Sequence, residues 1–154
     1  MVWPFGRKAS ESNDLPIHGQ WAVATGEDEL DGSVTIMRLN TSYREVGSVP
    51  GYEHQVGIAV PFHAPEATGL PSPEENVELT AIEDAICPAI EEQAQSLLVA
   101  IITTGGMREF VFYTRAPQEV QKQFERLRER ITSHEIQLMI QPDKNWDVYA
   151  QLRT

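Results

Sequence analysis

Read from residue 55 onward, the hydrophobic pattern runs strand, helix, strand, strand, helix, strand. That order predicts an α+β domain with a ferredoxin-like βαββαβ sheet over residues 55–141. Three observations carry the prediction. Gln55–Phe62 alternates, with Val56, Ile58, Val60 and Phe62 on one face. Two stripes at helical spacing, Leu79-Ile82-Ile86-Ile90 and Val120-Phe124-Leu127-Ile131, mark amphipathic helices. The pair Gly105-Gly106 separates two apolar, β-branched runs, as a two-residue hairpin turn does. A chain of 154 residues fits one domain better than two. At that length about 70% of the unfolded surface is buried, so a core forms without disulfide or metal.

Residues 1–19 are expected to be a flexible N-terminal tail and residues 20–154 a single domain. The head Val2-Trp3-Pro4-Phe5-Gly6-Arg7-Lys8 joins aromatics to two cations and reads as a frayed end. Gln20–Thr25 and Ser33–Asn40 read as a β-hairpin added before the βαββαβ unit. Its turn, Gly26–Gly32, holds four carboxylates without the spacing of a calcium loop. A loop over 41–53 and a proline-rich connection over 61–71 flank the first alternating strand. Ser72-Pro73-Glu74-Glu75 is a helix start: Ser72 caps, Pro73 suits the first position, and Glu75 completes a capping box. Pro88 falls inside that helix and predicts a kink or break, because its ring meets the carbonyl of Asp84. Strands follow at Leu97–Thr104 and Met107–Arg115, a helix opens at Pro117, and an edge strand runs from His134 to Gln141. An aromatic C-terminal tail, Pro142–Tyr149, ends the pattern.

A two-residue turn at Gly105-Gly106 makes the residue numbers of paired positions sum to 211. One face of the hairpin then carries Leu97, Val99, Ile101, Phe110 and Phe112. The other carries Leu98, Ala100, Ile102, Val111 and Tyr113. Both are apolar, whereas two helices cover only one face of such a sheet. The second face therefore needs a cover: the N-terminal hairpin, the aromatic tail, a second copy of the chain, or a partner.

The formal net charge is −11, from 12 basic and 23 acidic residues. A surface of this sign repels phosphate, so neither nucleic acid nor an anionic membrane is an expected partner. A protein partner or self-association is compatible with it. Cys87 is the only cysteine, and no apolar core of signal-peptide length opens the chain, so a cytoplasmic location is expected. Cys87 beside the apolar stripe reads as a buried, inert thiol. His18, His54, His63 and His134 show no metal spacing and read as surface or loop residues. No Gly-x-Ser-x-Gly occurs, and Thr103-Thr104-Gly105-Gly106 leads into a strand, not a phosphate-binding helix. Arg108-Glu109-Phe110-Val111-Phe112-Tyr113 only partly matches an RNA-recognition strand, and the charge opposes that role.

Three stretches carry a family resemblance. They are Gly69-Leu70-Pro71-Ser72, the run Thr103–Thr114, and Asp143-x-x-Trp146-x-x-Tyr149; Trp21 adds an early strand tryptophan. In these the chain resembles the uncharacterised bacterial family called domain of unknown function 695, over most of residues 20–152. Lys144 stands where that family often has proline. The resemblance implies no activity. At the level of fold and charge alone the chain is also similar to bacterial ribonuclease-E regulator B proteins.

The expectation is thus a non-enzymatic protein-interaction or regulatory domain without catalytic residues, cofactor or metal. The alternative is a small-molecule-binding or enzymatic domain with a pocket between the sheet and its covering segment. Contacts to a ligand or partner are expected at Arg108, Tyr113, Trp146 and Tyr149.

Overall fold

A computed structural model of the chain describes residues 9–12 and 20–153. Its scaffold is one seven-stranded antiparallel sheet: β1 (Ala9–Ser12), β2 (Trp21–Glu27), β3 (Val34–Asn40), β4 (His54–Pro61), β5 (Ser96–Thr104), β6 (Met107–Thr114) and β7 (Gln137–Pro142). The order across the sheet is β1-β2-β3-β5-β6-β4-β7. Helices α1 (Pro73–Pro88), α2 (Pro117–Arg130) and the short α3 (Asp147–Arg153) complete the described fold. Strand β1 interrupts the stretch read as a tail; the rest of residues 1–19 lies outside the described residues.

Local chemistry sets the element boundaries. Ser72 Oγ accepts the Glu75 N–H at 3.1 Å and Pro73 opens α1, as a capped helix start requires. Pro88 has no N–H to give the carbonyl of Asp84, and regular α-helix ends there. A π-helical turn over Ala89–Gln93 absorbs the break. Both turn glycines of the β5–β6 hairpin have left-handed backbone, with φ +58 at Gly105 and +82 at Gly106, which a primed two-residue turn demands. The final strand begins later than expected, at Gln137, because His134 and Ile136 turn inward in the connection before it.

The expected hairpin register holds from Thr104↔Met107 to Ala100↔Val111 and then slips. A β-bulge at Val99 shifts the pairing by one residue, to Leu98↔Phe112 and Leu97↔Tyr113. The predicted faces are corrected accordingly. Leu98 and Ile101 join Phe110 and Phe112 on the side of α1 and α2. Leu97, Val99, Ala100 and Ile102 join Val111 and Tyr113 on the other. A turn fixes register only as far as the strands stay regular.

Two apolar clusters sandwich the sheet. The first packs Leu79, Ile82, Ile86 and Ile90 of the α1 segment and Val120, Phe124 and Leu127 of α2 against β4, β5 and β6. The second is closed by the C-terminal segment: Trp146, Tyr149 and Leu152 have no exposed surface and pack with Met37, Leu39, Val111 and Tyr113. Of the covers considered from the sequence, the aromatic tail is the one that lies there. The β2–β3 hairpin instead widens the sheet, with β3 pairing β5 through Ile36↔Thr103 to Leu39↔Ala100.

Asp143 organises that cover. Its carboxylate accepts the Asp147 N–H at 2.8 Å, the Val148 N–H at 3.0 Å and the Tyr113 hydroxyl at 2.6 Å. Trp146 takes left-handed backbone, φ +58, and stacks on Tyr113 with ring centroids 4.0 Å apart. Its indole N–H donates to the Tyr52 carbonyl at 2.7 Å, and the Tyr149 hydroxyl donates to the Asn40 carbonyl at 2.6 Å. A strained φ at a bulky residue persists only where its surroundings over-determine it.

Two measurements test this lid. Trp146→Ala should cost about 3–5 kcal/mol in urea unfolding, the range for deleting a buried aromatic. Burial raises the Tyr149 hydroxyl to about 12, while Arg44 and Arg153 hold it back. A pKa raised in the fold contributes stability below the unfolded value, near 10, and loses it as pH climbs through the folded value. Stability measured from about pH 9 to 12 should therefore fall more steeply in the parent chain than in Tyr149→Phe, which cannot ionise there.

Candidate functional site

The widened sheet leaves a groove beside α1. Trp21 from β2 and Leu98 and Ile101 from β5 form an apolar floor, and Cys87 and Pro88 line the helix wall. Glu83, Asp84, Glu91 and Glu92 surround it, against the single cation Arg38, in a volume of about 260 Å³. The π-helical turn after Pro88 supplies Glu91 and Glu92. Arg38 reaches from β3 and grips Glu83 with two parallel hydrogen bonds of 2.6 and 3.0 Å. That fork-on-carboxylate geometry is the stronger kind of ion pair. Burial, then the charges of Glu83 and Glu91, push the Cys87 thiol far above its ordinary range. It stays protonated at neutral pH, so a thiolate nucleophile is not available in this groove.

The expected contact residues fall in two places. Tyr113, Trp146 and Tyr149 come together, but in the interior, as the closed lid over the second sheet face. Arg108 is separate, on the helix side of β6, and is 9% exposed. Its guanidinium donates to Thr103 Oγ1 at 2.9 Å and to Asn76 Oδ1 at 3.2 Å. Burial, then the neighbouring Arg38 charge, lower its pKa from the usual arginine value.

A second polar cluster sits at the other end of α1. Glu75 is 5% exposed, and its carboxylate accepts the His63 N–H at 2.6 Å, the Ala64 N–H at 3.4 Å and the His134 ring at 2.7 Å. Burial alone would raise its pKa. The hydrogen bonds from His63, His134 and Ala64 outweigh that and hold the carboxyl below its ordinary value. The capping-box reading is corrected here. Ser72 caps as expected, but the Glu75 side chain is spent on the β4–α1 connection and on His134. The His63 ring lies flat on His134, with centroids 3.9 Å apart.

A family model described as a family of unknown function (DUF695) matches residues 20–152. The chain belongs to this family. No curated protein and no solved structure matches it. In this DUF695 domain the stretches that carried the resemblance have structural places. Thr103–Thr114 is the hairpin and its turn. Gly69, with φ +85, lies where a Cβ would come within 3.3 Å of the Gly105 nitrogen, and its carbonyl accepts the Gly106 N–H at 3.1 Å. Asp143, Trp146 and Tyr149 are the cap and the two aromatic anchors of the lid.

Sequence reasoning missed both the groove and the Glu75 cluster. The groove depends on where the N-terminal hairpin docks, which local patterning does not encode. The cluster unites residues 63, 75 and 134 from three segments, so no spacing rule finds it. The one available signal was Glu75 itself, already singled out as a capping residue.

Glu75→Ala should cost about 2 kcal/mol or more in urea unfolding at neutral pH, because it strands two backbone N–H groups and a buried imidazole. Glu74→Ala, exposed one residue earlier, should stay within about 0.5 kcal/mol of the parent.

Proposed function

We propose that this DUF695 domain is a non-enzymatic protein-interaction or regulatory domain whose groove beside α1 receives a partner segment carrying an apolar side chain next to lysine or arginine. The observation that carries the reading is the composition of the groove: an apolar floor under four carboxylates and one guanidinium, itself committed to Glu83. An apolar anchor would bury against Trp21, Leu98 and Ile101, the central contact that gives most of the affinity in such interfaces. Cationic neighbours would meet the acidic rim, which speeds encounter and selects the partner by charge. The excess of 23 acidic over 12 basic residues adds a long-range attraction of the same sign.

Fold and location form part of the same reading. The order β5-β6-β4-β7, with α1 and α2 packed on one side, supports a ferredoxin-like unit to which β1, β2 and β3 are appended at the β5 edge. Among the described residues no helix is long and apolar enough to cross a membrane. A single cysteine, which can form no internal disulfide, suits a reducing compartment, and the cytoplasm is the location we propose.

The test is fluorescence anisotropy with a labelled peptide holding one tryptophan flanked by lysines. Binding should weaken as salt rises. It should drop about tenfold or more in Asp84→Lys/Glu92→Lys, which reverses two exposed rim charges. A control, Glu125→Lys/Glu129→Lys on the exposed side of α2, changes net charge equally away from the groove and should retain binding. Equal losses in the two variants, or equal binding by a peptide lacking the tryptophan, would remove the groove from the explanation.

A further inference from the structure

We infer that His63, Glu78 and His134 form a binding site for a divalent transition-metal ion of the zinc class, with Glu75 as the carboxylate that orients His134. One donor atom from each of the three residues lies within 4.8 Å of the other two. Tetrahedral ligands at bond lengths of about 2.0–2.2 Å stand roughly 3.4 Å apart, and the set closes when the His63 ring swings off its stack on His134 and turns its in-plane lone pair toward the same point. His63 and Glu78 are exposed and can move; His134 is buried and fixed.

The three residues come from three segments held in place for other reasons. His63 follows β4, and its own backbone N–H is tied to Glu75 at 2.6 Å. Glu78 lies one turn along α1 from Glu75, on the same side of the helix. His134 sits in the connection between α2 and β7. Glu75 gives the cluster the form of a metal site rather than of a chance surface group. It accepts from His134 Nε2 at 2.7 Å, which places the proton on that nitrogen and the lone pair on Nδ1. Metal-bound histidines commonly have their second nitrogen held by such a carboxylate. The Ser133 hydroxyl, 3.1 Å from Nδ1, would turn away to admit the ion.

Two imidazoles and one carboxylate suit Zn²⁺ and its spectroscopic substitute Co²⁺ better than calcium or magnesium, which prefer all-oxygen sets. With two ligands on the solvent side, water completes the coordination.

The experiment is titration of the full chain with Co²⁺, followed by visible absorption, and competition with Zn²⁺. One equivalent should bind, with bands of nitrogen–oxygen coordination. His63→Ala and Glu78→Gln, both at exposed positions, should each abolish those bands while far-UV circular dichroism stays unchanged. Glu75→Gln should weaken binding about 10- to 100-fold without removing the bands. Cys87→Ser should bind as the parent does. Absence of saturable binding, or binding that survives both His63→Ala and Glu78→Gln, would overturn the assignment. Neither result bears on the peptide groove, which lies at the opposite end of α1.

Discussion

The β5–β6 hairpin is apolar on both faces, and the rest of the molecule is arranged to cover it twice. On one side Phe110, Phe112, Leu98 and Ile101 are closed off by α1 and α2. On the other, Trp146 lies flat on Tyr113 and brings the C-terminal segment down over Val111 and Ile102. Burying an aromatic of this size removes roughly 150–250 Å² from water, a large share of what holds a small domain together. Asp143 makes the arrangement possible, because one carboxylate both caps α3 and fixes the Tyr113 hydroxyl. The last helix is only seven residues long and could not persist by propensity alone; its packing sustains it.

Closing both faces inside one chain changes what the sheet can offer to others. A hairpin bare on one side would have served as a docking surface, whereas here that surface is consumed. What remains accessible arises at the flank, where β2 and β3 extend the sheet past α1 and, among the described residues, no further helix meets the helix side. Proline at position 88 matters to this flank. By ending the regular helix and forcing a π-helical turn, it carries Glu91 and Glu92 around the groove with Glu83 and Asp84. A backbone irregularity and a patch of charge thus share one cause.

Helix α1 joins two regions of different character. Its first turns hold Glu75 and Glu78 near two stacked histidines; its last turns hold the acidic rim of an apolar groove. The nearest charges of the two regions, Glu78 and Glu83, stand five residues apart, about 7.5 Å along the axis at 1.5 Å per residue, within the screening length of physiological salt. Glu75 also ties the β4–α1 connection to the α2–β7 connection, so the helix start is anchored by tertiary bonds as well as by Ser72.

Much of the fold was legible along the chain, because helical and strand periodicity, glycine turns and capping residues act over a few residues. The two core helices, the Gly105-Gly106 turn, the interruption at Pro88 and the demand for a second cover all followed from such local rules. Register beyond the turn did not, since the bulge at Val99 answers to packing on both faces of β5 at once. Nor did the identity of the cover. Trp146 and Tyr149 read as part of an aromatic tail and as contacts to a ligand or partner, but only the fold shows Trp146 in left-handed backbone before α3, sealing the interior. The groove and the His63–Glu75–Glu78–His134 cluster belong wholly to tertiary structure. Each joins residues dozens of positions apart, and their nearness is set by which strands pair and how connections cross, not by any spacing along the sequence.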